Sequence, residues 1–348
     1  MRGPPDIWST PRIFPHRLEL PLDRVVVVER SEAELRAASF LDDRALGPAA
    51  RPLSVAWAEL GHHVPAAARR DLQYIFHIGH VGSTLIARLL GELPQVLALR
   101  EPLILRGYAD QLGREGDPDC FWAPQEIPAR LDALTALLSR TFRPEQRALV
   151  KATSFVSDIA ARLVPAGSNA LLLWVPPEVY LASILAGDAS RQEVQLLAAA
   201  RVARLNRAGV APPVRLWELS FGARAALGWA VEMIALRRAA AALGAARVLW
   251  VDFDTFLAAP AAGIARIAGH FGVPIDRAGA EALAGSEIMR RYSKAMEHGY
   301  SADLRRQVLA EACRTHAADL AAGLAWLEQV AAGDERLAEC LRFAEGRS

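Results

Sequence analysis

The fold of this chain is decided by residues 74–90, Tyr-Ile-Phe-His-Ile-Gly-His-Val-Gly-Ser-Thr-Leu-Ile-Ala-Arg-Leu-Leu. The first part of this stretch is short, rich in β-branched and aromatic residues, and bounded by glycine, which predicts a buried strand. The second part carries Leu85, Ile86, Leu89 and Leu90 at helical spacing, which predicts a helix with one buried face. The stretch therefore predicts a strand, a glycine-bearing turn and a helix in direct succession.

The turn between the predicted strand and helix has the composition of an anion-binding loop. Gly79 and Gly82 allow positive φ angles and a close approach of the backbone to a ligand. Ser83 and Thr84 fall in the first turn of the helix, where free N–H groups and the helix dipole attract anions. Two interpretations stay open: the turn binds a phosphate group, or the two hydroxyls merely cap a helix that binds nothing.

The turn differs from the loop of most nucleotide hydrolases, which has the pattern G-x-x-x-x-G-K-[ST]. Aligning Gly82 and Thr84 with the last glycine and the hydroxyl of that pattern puts Ser83 at the lysine and His77 at the first glycine. A phosphate site without that lysine points away from ATP chemistry.

The composition of the chain limits the class of protein to which it can belong. The chain has 348 residues, of which 52% are hydrophobic, so a sizeable core is possible. Its formal net charge of +1 argues against a general nucleic-acid binder. Three widely spaced cysteines suggest neither a disulfide framework nor a zinc site. Because no signal peptide and no membrane span are visible, we expect a cytoplasmic protein with no membrane partner.

Short apolar runs alternate with helical patterns after residue 71. The predicted strands are Tyr74–Ile78, Val96–Leu99, Ala148–Val150, Ala170–Val175 and Val248–Val251. Such alternation predicts an α/β fold with a central parallel sheet flanked by helices. Residues 1–70 are expected to form an N-terminal extension packed on the core, and residues 71–348 the main domain with a helical C-terminus.

Polar residues follow the predicted strands at their carboxyl ends, where open α/β sheets bind ligands. They are His80–Thr84, Glu101, Lys151–Ser154, Asp252 and Asp254. The two aspartates are metal-ligand candidates, but helix capping and loop ordering explain them better. The neighbouring His62 and His63 are a weaker metal candidate, and we predict no metal.

The loop resembles the 5'-phosphosulfate loop of bacterial sulfotransferases of the P-loop superfamily, which has the form basic-Ser-Gly-Thr-Thr followed by an aromatic or aliphatic residue. His80–Leu85 matches it at the glycine, at both hydroxyls and at the apolar residue, with His80 at the basic position and Val81 at the serine. The segment Arg100-Glu101-Pro102 is similar to the Lys/Arg-Glu-Pro element of the same family, and Lys151-Ala152-Thr153-Ser154 to its Lys-Pro-Ser/Thr element.

The resemblance covers roughly residues 72–300. It implies a three-layer P-loop-like fold and transfer of a sulfuryl group from 3'-phosphoadenosine 5'-phosphosulfate (PAPS) to a hydroxyl or amine of a small-molecule acceptor, with no metal. Glu101 is the expected general base, unless it serves in an ion pair with Arg100, Arg106 or Lys151. Protonated His80 and Lys151 are the expected cations at the transferring group.

The resemblance also implies a set of cofactor-binding residues. The family's 3'-phosphate motif is an arginine followed eight residues later by serine; Ser183 matches the serine, while Val175 occupies the arginine position. Arg191 or Arg201 is expected to replace that arginine, since guanidinium and phosphate bind in a bidentate manner. Arg291 and Lys294 fall on the family's late basic segment. The expected cofactor-binding residues are Gly79, His80, Val81, Gly82, Ser83, Thr84, Leu85, Ser183, Arg191, Arg291 and Lys294.

Two other functions stay open. The departures at His80 and Val175 would suit a non-catalytic, sulfotransferase-like binding or scaffold protein, and a kinase-like enzyme that uses ATP is the remaining alternative. The acceptor pocket is expected to involve the N-terminal segment and the loops 107–125 and 207–221, whose aromatic residues suit an aromatic or apolar acceptor. These residues are Phe121, Trp122, Trp217 and Phe221.

Overall fold

The computed structural model describes residues 7–8, 10–47, 50–61, 64–291 and 301–346. The strands within these ranges are β1 (Ile13–Glu19), β2 (Arg24–Glu29), β3 (Leu53–Ala56), β4 (Gln73–His77), β5 (Val96–Arg100), β6 (Arg147–Lys151), β7 (Ala170–Trp174) and β8 (Val248–Asp252). They form two sheets, an antiparallel sheet of order β1-β2-β3 and a parallel sheet of order β5-β6-β4-β7-β8.

Helices surround the parallel sheet and extend to the C-terminus. The α-helices in the described ranges are α1 (Glu32–Ala37), α2 (Trp57–Gly61), α3 (Ser83–Gly91), α4 (Ile104–Gly113), α5 (Ile127–Leu138), α6 (Ala160–Leu163), α7 (Pro177–Leu185), α8 (Asp188–Arg207), α9 (Phe221–Leu243), α10 (Phe253–Ala258), α11 (Pro260–His270), α12 (Arg277–Ala284), α13 (Glu287–Arg290), α14 (Ala302–Thr315), α15 (Ala317–Gly333) and α16 (Glu335–Ala344). The predicted α/β class, with a central parallel sheet flanked by helices, is confirmed. None of the helices in these ranges is both long enough and apolar enough to cross a membrane.

The strand order creates a crevice at the centre of the parallel sheet. β4 lies between β6 and β7, and the chain leaves β4 towards β5 at one edge but leaves β7 towards β8 at the other. Connections that diverge in this way open a crevice at the carboxyl ends of the strands. The loop at residues 78–82 follows β4 and therefore lies at this crevice.

The sheet is apolar because it is covered on both faces. Tyr74, Ile75 and Phe76 of β4 are completely buried. Trp229 of α9 packs in the same core, and its indole N–H donates to the carbonyl of Val175 at 3.0 Å. Val175, at which the sequence resemblance placed an arginine, is therefore a buried core residue.

The N-terminal segment is held to the parallel sheet by Arg100 at the end of β5. The buried Arg100 guanidinium donates to the main-chain carbonyls of Leu35, Arg36 and Ala38. The Arg100 carbonyl in turn accepts from the N–H of Leu41 at 2.7 Å. Burial lowers the pKa of Arg100 to about 10. The segment after α1 consequently reaches the carboxyl end of β5; the domain division near residue 70 stays a prediction.

Residues 157–163 form a 3-10 turn, Ser157–Ile159, followed by α6. One predicted loop differs in the structure. The loop expected from Gly107 is helical up to Gly113, because Ile104, Leu105 and Tyr108 bury one face of α4.

Candidate functional site

The loop after β4 has a backbone in the left-handed region at three positions. Gly79, His80 and Gly82 have φ angles of +87°, +55° and +67°. Glycine adopts this region freely, whereas it costs His80 free energy. Such strain in a non-glycine residue typically persists where the surrounding structure enforces a particular loop shape. At residue 82 even a methyl group is excluded, because a Cβ there would overlap the ring of Phe253.

His77 fixes the start of the loop through both ring nitrogens. The N–H of Gly79 donates to Nδ1 at 2.9 Å, which requires that Nε2 carries the proton and donates to the carbonyl of Ala152 at 2.9 Å. His77 is therefore a neutral imidazole that ties the loop to the segment after β6. It stands where a nucleotide hydrolase would have the first glycine of its loop.

The N-terminus of α3 is open towards the loop. Gly82 is its N-cap and supplies no side-chain hydrogen bond, and Ser83 and Thr84 are its first two residues. The hydroxyls therefore do not occupy the cap position, so the alternative of a hydroxyl-capped helix does not describe this helix. Thr84 is 2% exposed, and no described group hydrogen-bonds to its Oγ1. A buried hydroxyl without a protein partner is unfavourable unless a ligand supplies one.

Glu101 and Lys151 are joined by both main chain and side chain. The N–H of Glu101 donates to the carbonyl of Lys151 at 2.7 Å, and Lys151 Nζ pairs with Glu101 Oε1. The Lys151 side chain is 1% exposed and that of Glu101 is 17% exposed. Glu101 also has a positive φ, +52°. Of Arg100, Arg106 and Lys151, the structure thus pairs Lys151 with Glu101. Lys151 lies at the end of a strand but is buried and not on the surface.

The loop and this pair open into one cavity of about 880 Å³. This volume lies in the range of sites that hold cofactors and drug-sized ligands. The predicted residues that line the cavity are Gly79, His80, Val81, Gly82, Ser83, Thr84, Leu85, Glu101, Lys151 and Ser183. The N-terminal segment contributes Phe40, Asp42 and Arg44. The structure therefore brings together most of the site that the sequence predicted.

Ser183 reaches the cavity from the last turn of α7, and its hydroxyl donates to the carbonyl of Val179 at 2.9 Å. An oxygen that donates one turn back along a helix can still accept from, or switch to, a ligand.

Two predicted cofactor ligands within the described ranges, Arg191 and Arg291, lie away from the cavity. The Arg191 guanidinium lies 5.5 Å from the ring centroid of Phe221. Arg291 pairs with Glu287 on the surface. Neither residue lines the cavity. Lys294 lies outside the described residues, as do His62 and His63.

A cation that the sequence analysis missed comes from the C-terminal helices. Arg305 of α14 lines the cavity, lies 5.4 Å from the ring centroid of Phe253 and pairs with Asp254 at 2.5 Å. Its side chain is 12% exposed, and its Nη2 has no hydrogen-bond partner among the residues described. Burial raises the pKa of Asp254 although Arg305 opposes this. Because the Phe253 ring lies against Gly82, Arg305 lies beside the loop after β4; no sequence motif marks this arginine.

The two aspartates after β8 have structural roles. Asp252 caps α10 by accepting from the N–H of Thr255 at 2.7 Å, and Asp254 pairs with Arg305. Within the described ranges, no group of three or more His, Cys, Asp or Glu side chains is arranged to hold a metal ion.

The aromatic residues expected at the acceptor pocket do not line this cavity. Trp122 is buried against Tyr108, with ring centroids 4.8 Å apart, while Phe121 and Trp217 are exposed elsewhere. The exposed apolar side chains at the cavity are Leu196 of α8 and Leu304 and Val308 of α14. These three exposed apolar side chains thus lie on helices and not in the predicted loops 107–125 and 207–221.

Comparisons with known proteins gave matches to solved structures alone. No protein-family model and no curated protein matches the chain. The sulfotransferase domain of the Synechococcus PCC 7002 olefin synthase is 13% identical, with a TM-score of 0.41, and the match covers 81% of this chain and 97% of that domain. A sulfotransferase from Alicyclobacillus acidocaldarius is 15% identical, with a TM-score of 0.37, over 74% of this chain and 95% of the other. The sulfotransferase domain of the curacin biosynthetic pathway is 12% identical, with a TM-score of 0.38, over 66% and 83%.

Proposed function

We propose that this protein is a sulfotransferase that moves the sulfuryl group of PAPS to a hydroxyl or amine of a small-molecule acceptor. The observation that carries the proposal is the shared cavity of Thr84 and the Glu101–Lys151 pair. It combines an open helix N-terminus for a phosphate with a carboxylate and a buried cation for group transfer, and it lacks the lysine typical of ATP hydrolysis at Ser83.

The residues of the loop fit the 5'-phosphosulfate end of PAPS. The first-turn N–H groups of α3 and the unpartnered Thr84 hydroxyl donate to phosphate oxygens. Gly82 allows this approach, since a side chain there would collide with Phe253.

Arg305 fits the 3'-phosphate better than the predicted Arg191 and Arg291 do. Arg201, the other arginine expected there, also lines the cavity but lies on the side of Phe155. Arg305 lines the cavity next to Phe253, and its unpartnered Nη2 has a free donor, whereas Arg191 and Arg291 face elsewhere. Ser183 is the second polar group on this side. Arg305 thus replaces the arginine that the family places at residue 175.

The Glu101–Lys151 pair performs the transfer. PAPS supplies the sulfuryl group: the acceptor oxygen forms a bond to sulfur while the bond from sulfur to the 5'-phosphate oxygen breaks, and the leaving phosphate keeps the electron pair. Glu101 accepts the proton of the acceptor hydroxyl. Lys151, held beside it, stabilises the negative charge on the transferring oxygens. His80, when protonated, adds a cation at the loop.

Binding and turnover test this proposal separately. Calorimetry with 3'-phosphoadenosine 5'-phosphate is expected to give one site per chain, and radiolabelled PAPS with a panel of phenols, alcohols and amines is expected to label an acceptor. Arg305→Gln should weaken nucleotide binding, while Arg191→Gln, which changes an arginine outside the cavity, should not. Absence of nucleotide binding would overturn the proposal, and magnesium-dependent ATP turnover would favour the kinase-like alternative. Binding without transfer to any acceptor would favour the non-catalytic alternative.

A further inference from the structure

The cavity contains a second buried cation that the transfer chemistry does not use. Arg201 of α8 is 4% exposed and lines the cavity. Its Nη2 lies 3.2 Å from Glu193 Oε1, but no group in the described part of the chain hydrogen-bonds to its Nη1. The Glu193 side chain is 42% exposed, so this pair is partly screened by water. A buried guanidinium with an unused donor favours an anion at that point.

Arg201 belongs to a group of three arginines around one aromatic ring. The guanidinium carbons of Arg106, Arg201 and Arg204 lie 5.3, 5.8 and 4.6 Å from the ring centroid of Phe155. Arg204 is neutralised by Asp158 and Glu232, each at 2.5 Å. Arg106 also lines the cavity and is exposed, and no carboxylate among the described residues pairs with it. Arg106, which has no carboxylate partner among these residues, and Arg201, whose Nη1 has no hydrogen-bond partner there, therefore offer guanidinium donors on this side of the cavity.

Phe155 is held in a strained backbone conformation at this point. Its φ is +79°, and its N–H donates to Glu232 Oε1 at 3.0 Å. Such strain in a bulky residue persists where the surroundings enforce it, often beside ligands. Here Glu232 fixes both the ring, through the backbone of Phe155, and Arg204, through the ion pair.

The arginine pair lies on the catalytic side of the cavity. Arg106 follows Glu101 on the segment after β5, and Phe155 follows Lys151 on the segment after β6. The same two segments thus meet twice, once at the Glu101–Lys151 pair and once where Arg106 lies over Phe155. Arg305 already serves the nucleotide side, where it stacks on Phe253.

We propose that Arg106 and Arg201 form a binding subsite for an anionic group, a carboxylate or a phosphate, carried by the acceptor. The identification of the bound molecule as the acceptor rests on the proposed function. The anion subsite itself rests only on the two arginines. The substrate class is then a hydroxy acid or a hydroxyl compound with a phosphate ester, whose free hydroxyl is directed to Glu101 while its anion is held by the arginines.

The test compares matched probes with and without the charge. Calorimetry with para-hydroxyphenylacetate, para-hydroxyphenyl phosphate and the neutral para-hydroxyphenylacetamide uses an aromatic ring suited to the apolar side chains at the cavity. At least one anion is expected to bind about tenfold or more tightly than the amide, and this preference should disappear in Arg201→Gln and shrink in Arg106→Gln. Arg191→Gln, on the same helix as Arg201 but outside the cavity, is the control and should keep the preference.

The outcomes separate this inference from the proposed function. Equal affinities for anion and amide, or no binding of either anion, would overturn the subsite. So would displacement of the bound anion by 3'-phosphoadenosine 5'-phosphate, since the arginines would then belong to the nucleotide site. Anion binding in a protein that does not bind the nucleotide would leave the subsite standing while the sulfotransferase proposal fails. If Arg201→Gln does not fold, the exposed Arg106 provides the decisive variant.

Discussion

The ring of Phe253 lies against the Cα of Gly82, so closely that no side chain fits at residue 82. This contact joins the phosphate loop to the segment after β8 and sets the loop shape together with the φ of +67°. We expect Gly82→Ala to lower the free energy of unfolding by about 1–3 kcal/mol through overpacking, with a further loss from the strained φ. Nucleotide binding should be lost. Urea unfolding and calorimetry measure the two effects.

Gly116→Ala is the matched control for Gly82→Ala. Gly116 has a positive φ of +88°, but a Cβ there would meet nothing within 4 Å. Gly116→Ala should therefore lower the free energy of unfolding only through the strained φ, and it should keep nucleotide binding. The double variant Gly82→Ala/Phe253→Ala should recover part of the stability; a double variant as unstable as the sum of its single changes would contradict the contact.

Thr84→Val is expected to separate binding from stability. Because Thr84 Oγ1 is buried and has no partner in the described structure, replacing the hydroxyl by a methyl group of similar size should leave the free energy of unfolding unchanged or raise it by about 1 kcal/mol. The affinity for 3'-phosphoadenosine 5'-phosphate should fall about tenfold, because a hydrogen bond to a charged group is lost.

Ser139→Ala serves as the control for Thr84→Val. The Ser139 hydroxyl is also buried without a described partner, but Ser139 follows α5 and does not line the cavity. Its removal should affect stability in the same direction and leave nucleotide affinity unchanged. A Thr84→Val protein that is destabilised but binds nucleotide normally would mean that the hydroxyl has a structural role only.

The strand, turn and helix around the loop after β4 could be predicted from sequence because their determinants are local. An apolar run, two glycines and two hydroxyls within residues 74–90 define both the backbone and the helix start. The sequence also predicted that Glu101 and Lys151 lie at the same edge of the sheet, where parallel strands end. It did not predict which cation pairs with Glu101, because three cations were compatible with the sequence.

Arg305 was not predicted, and the choice between Arg191 and Arg201 stayed open, for two different physical reasons. Arg305 is more than 200 residues from the loop in sequence, and nothing local indicates that α14 packs beside Phe253. Arg191 and Arg201 share α8, but their spacing of ten residues turns the two side chains about 80° apart around the helix axis. Since α8 carries charges on most faces, the sequence did not indicate which arginine faces the cavity.

The C-terminal helices should show an acid-dependent loss of stability that involves Asp334. The Asp334 carboxylate caps α16 and pairs with Arg336 at 2.5 Å, and the hydrogen bond from Arg336 holds the pKa of Asp334 below its ordinary value. A carboxyl whose pKa is lowered by folding stabilises the folded state fully at a pH above its pKa in the unfolded chain, about 3.9. This stabilisation is lost as the pH falls through the lower pKa of the folded state. Asp334→Ala should therefore cost about 1–2 kcal/mol at about pH 7 and progressively less in stronger acid.

Asp334→Asn is the control for the charge. Asparagine caps helices as well as aspartate does but does not titrate, so the stability difference between Asp334→Asn and Asp334→Ala should stay constant with pH. Urea unfolding of the three proteins between about pH 7 and about pH 3 provides the measurement. A wild-type protein whose advantage over Asp334→Ala grows in acid would contradict the assigned sign.

Glu101→Gln should remove transfer while leaving nucleotide binding intact. Glutamine keeps the size of the side chain, and its amide oxygen can still accept from Lys151, so the main-chain bond between the two residues should persist. Since an amide does not accept the acceptor's proton, kcat should fall about 10²–10⁴-fold, with the affinity for 3'-phosphoadenosine 5'-phosphate changed by less than about twofold. Lys151→Met should lower kcat as well, and its fold should survive because the Glu101 side chain, 17% exposed, can turn to water. Arg191→Gln, outside the cavity, gives the reference rate. A Glu101→Gln enzyme with a wild-type kcat would assign Glu101 to a purely structural ion pair with Lys151.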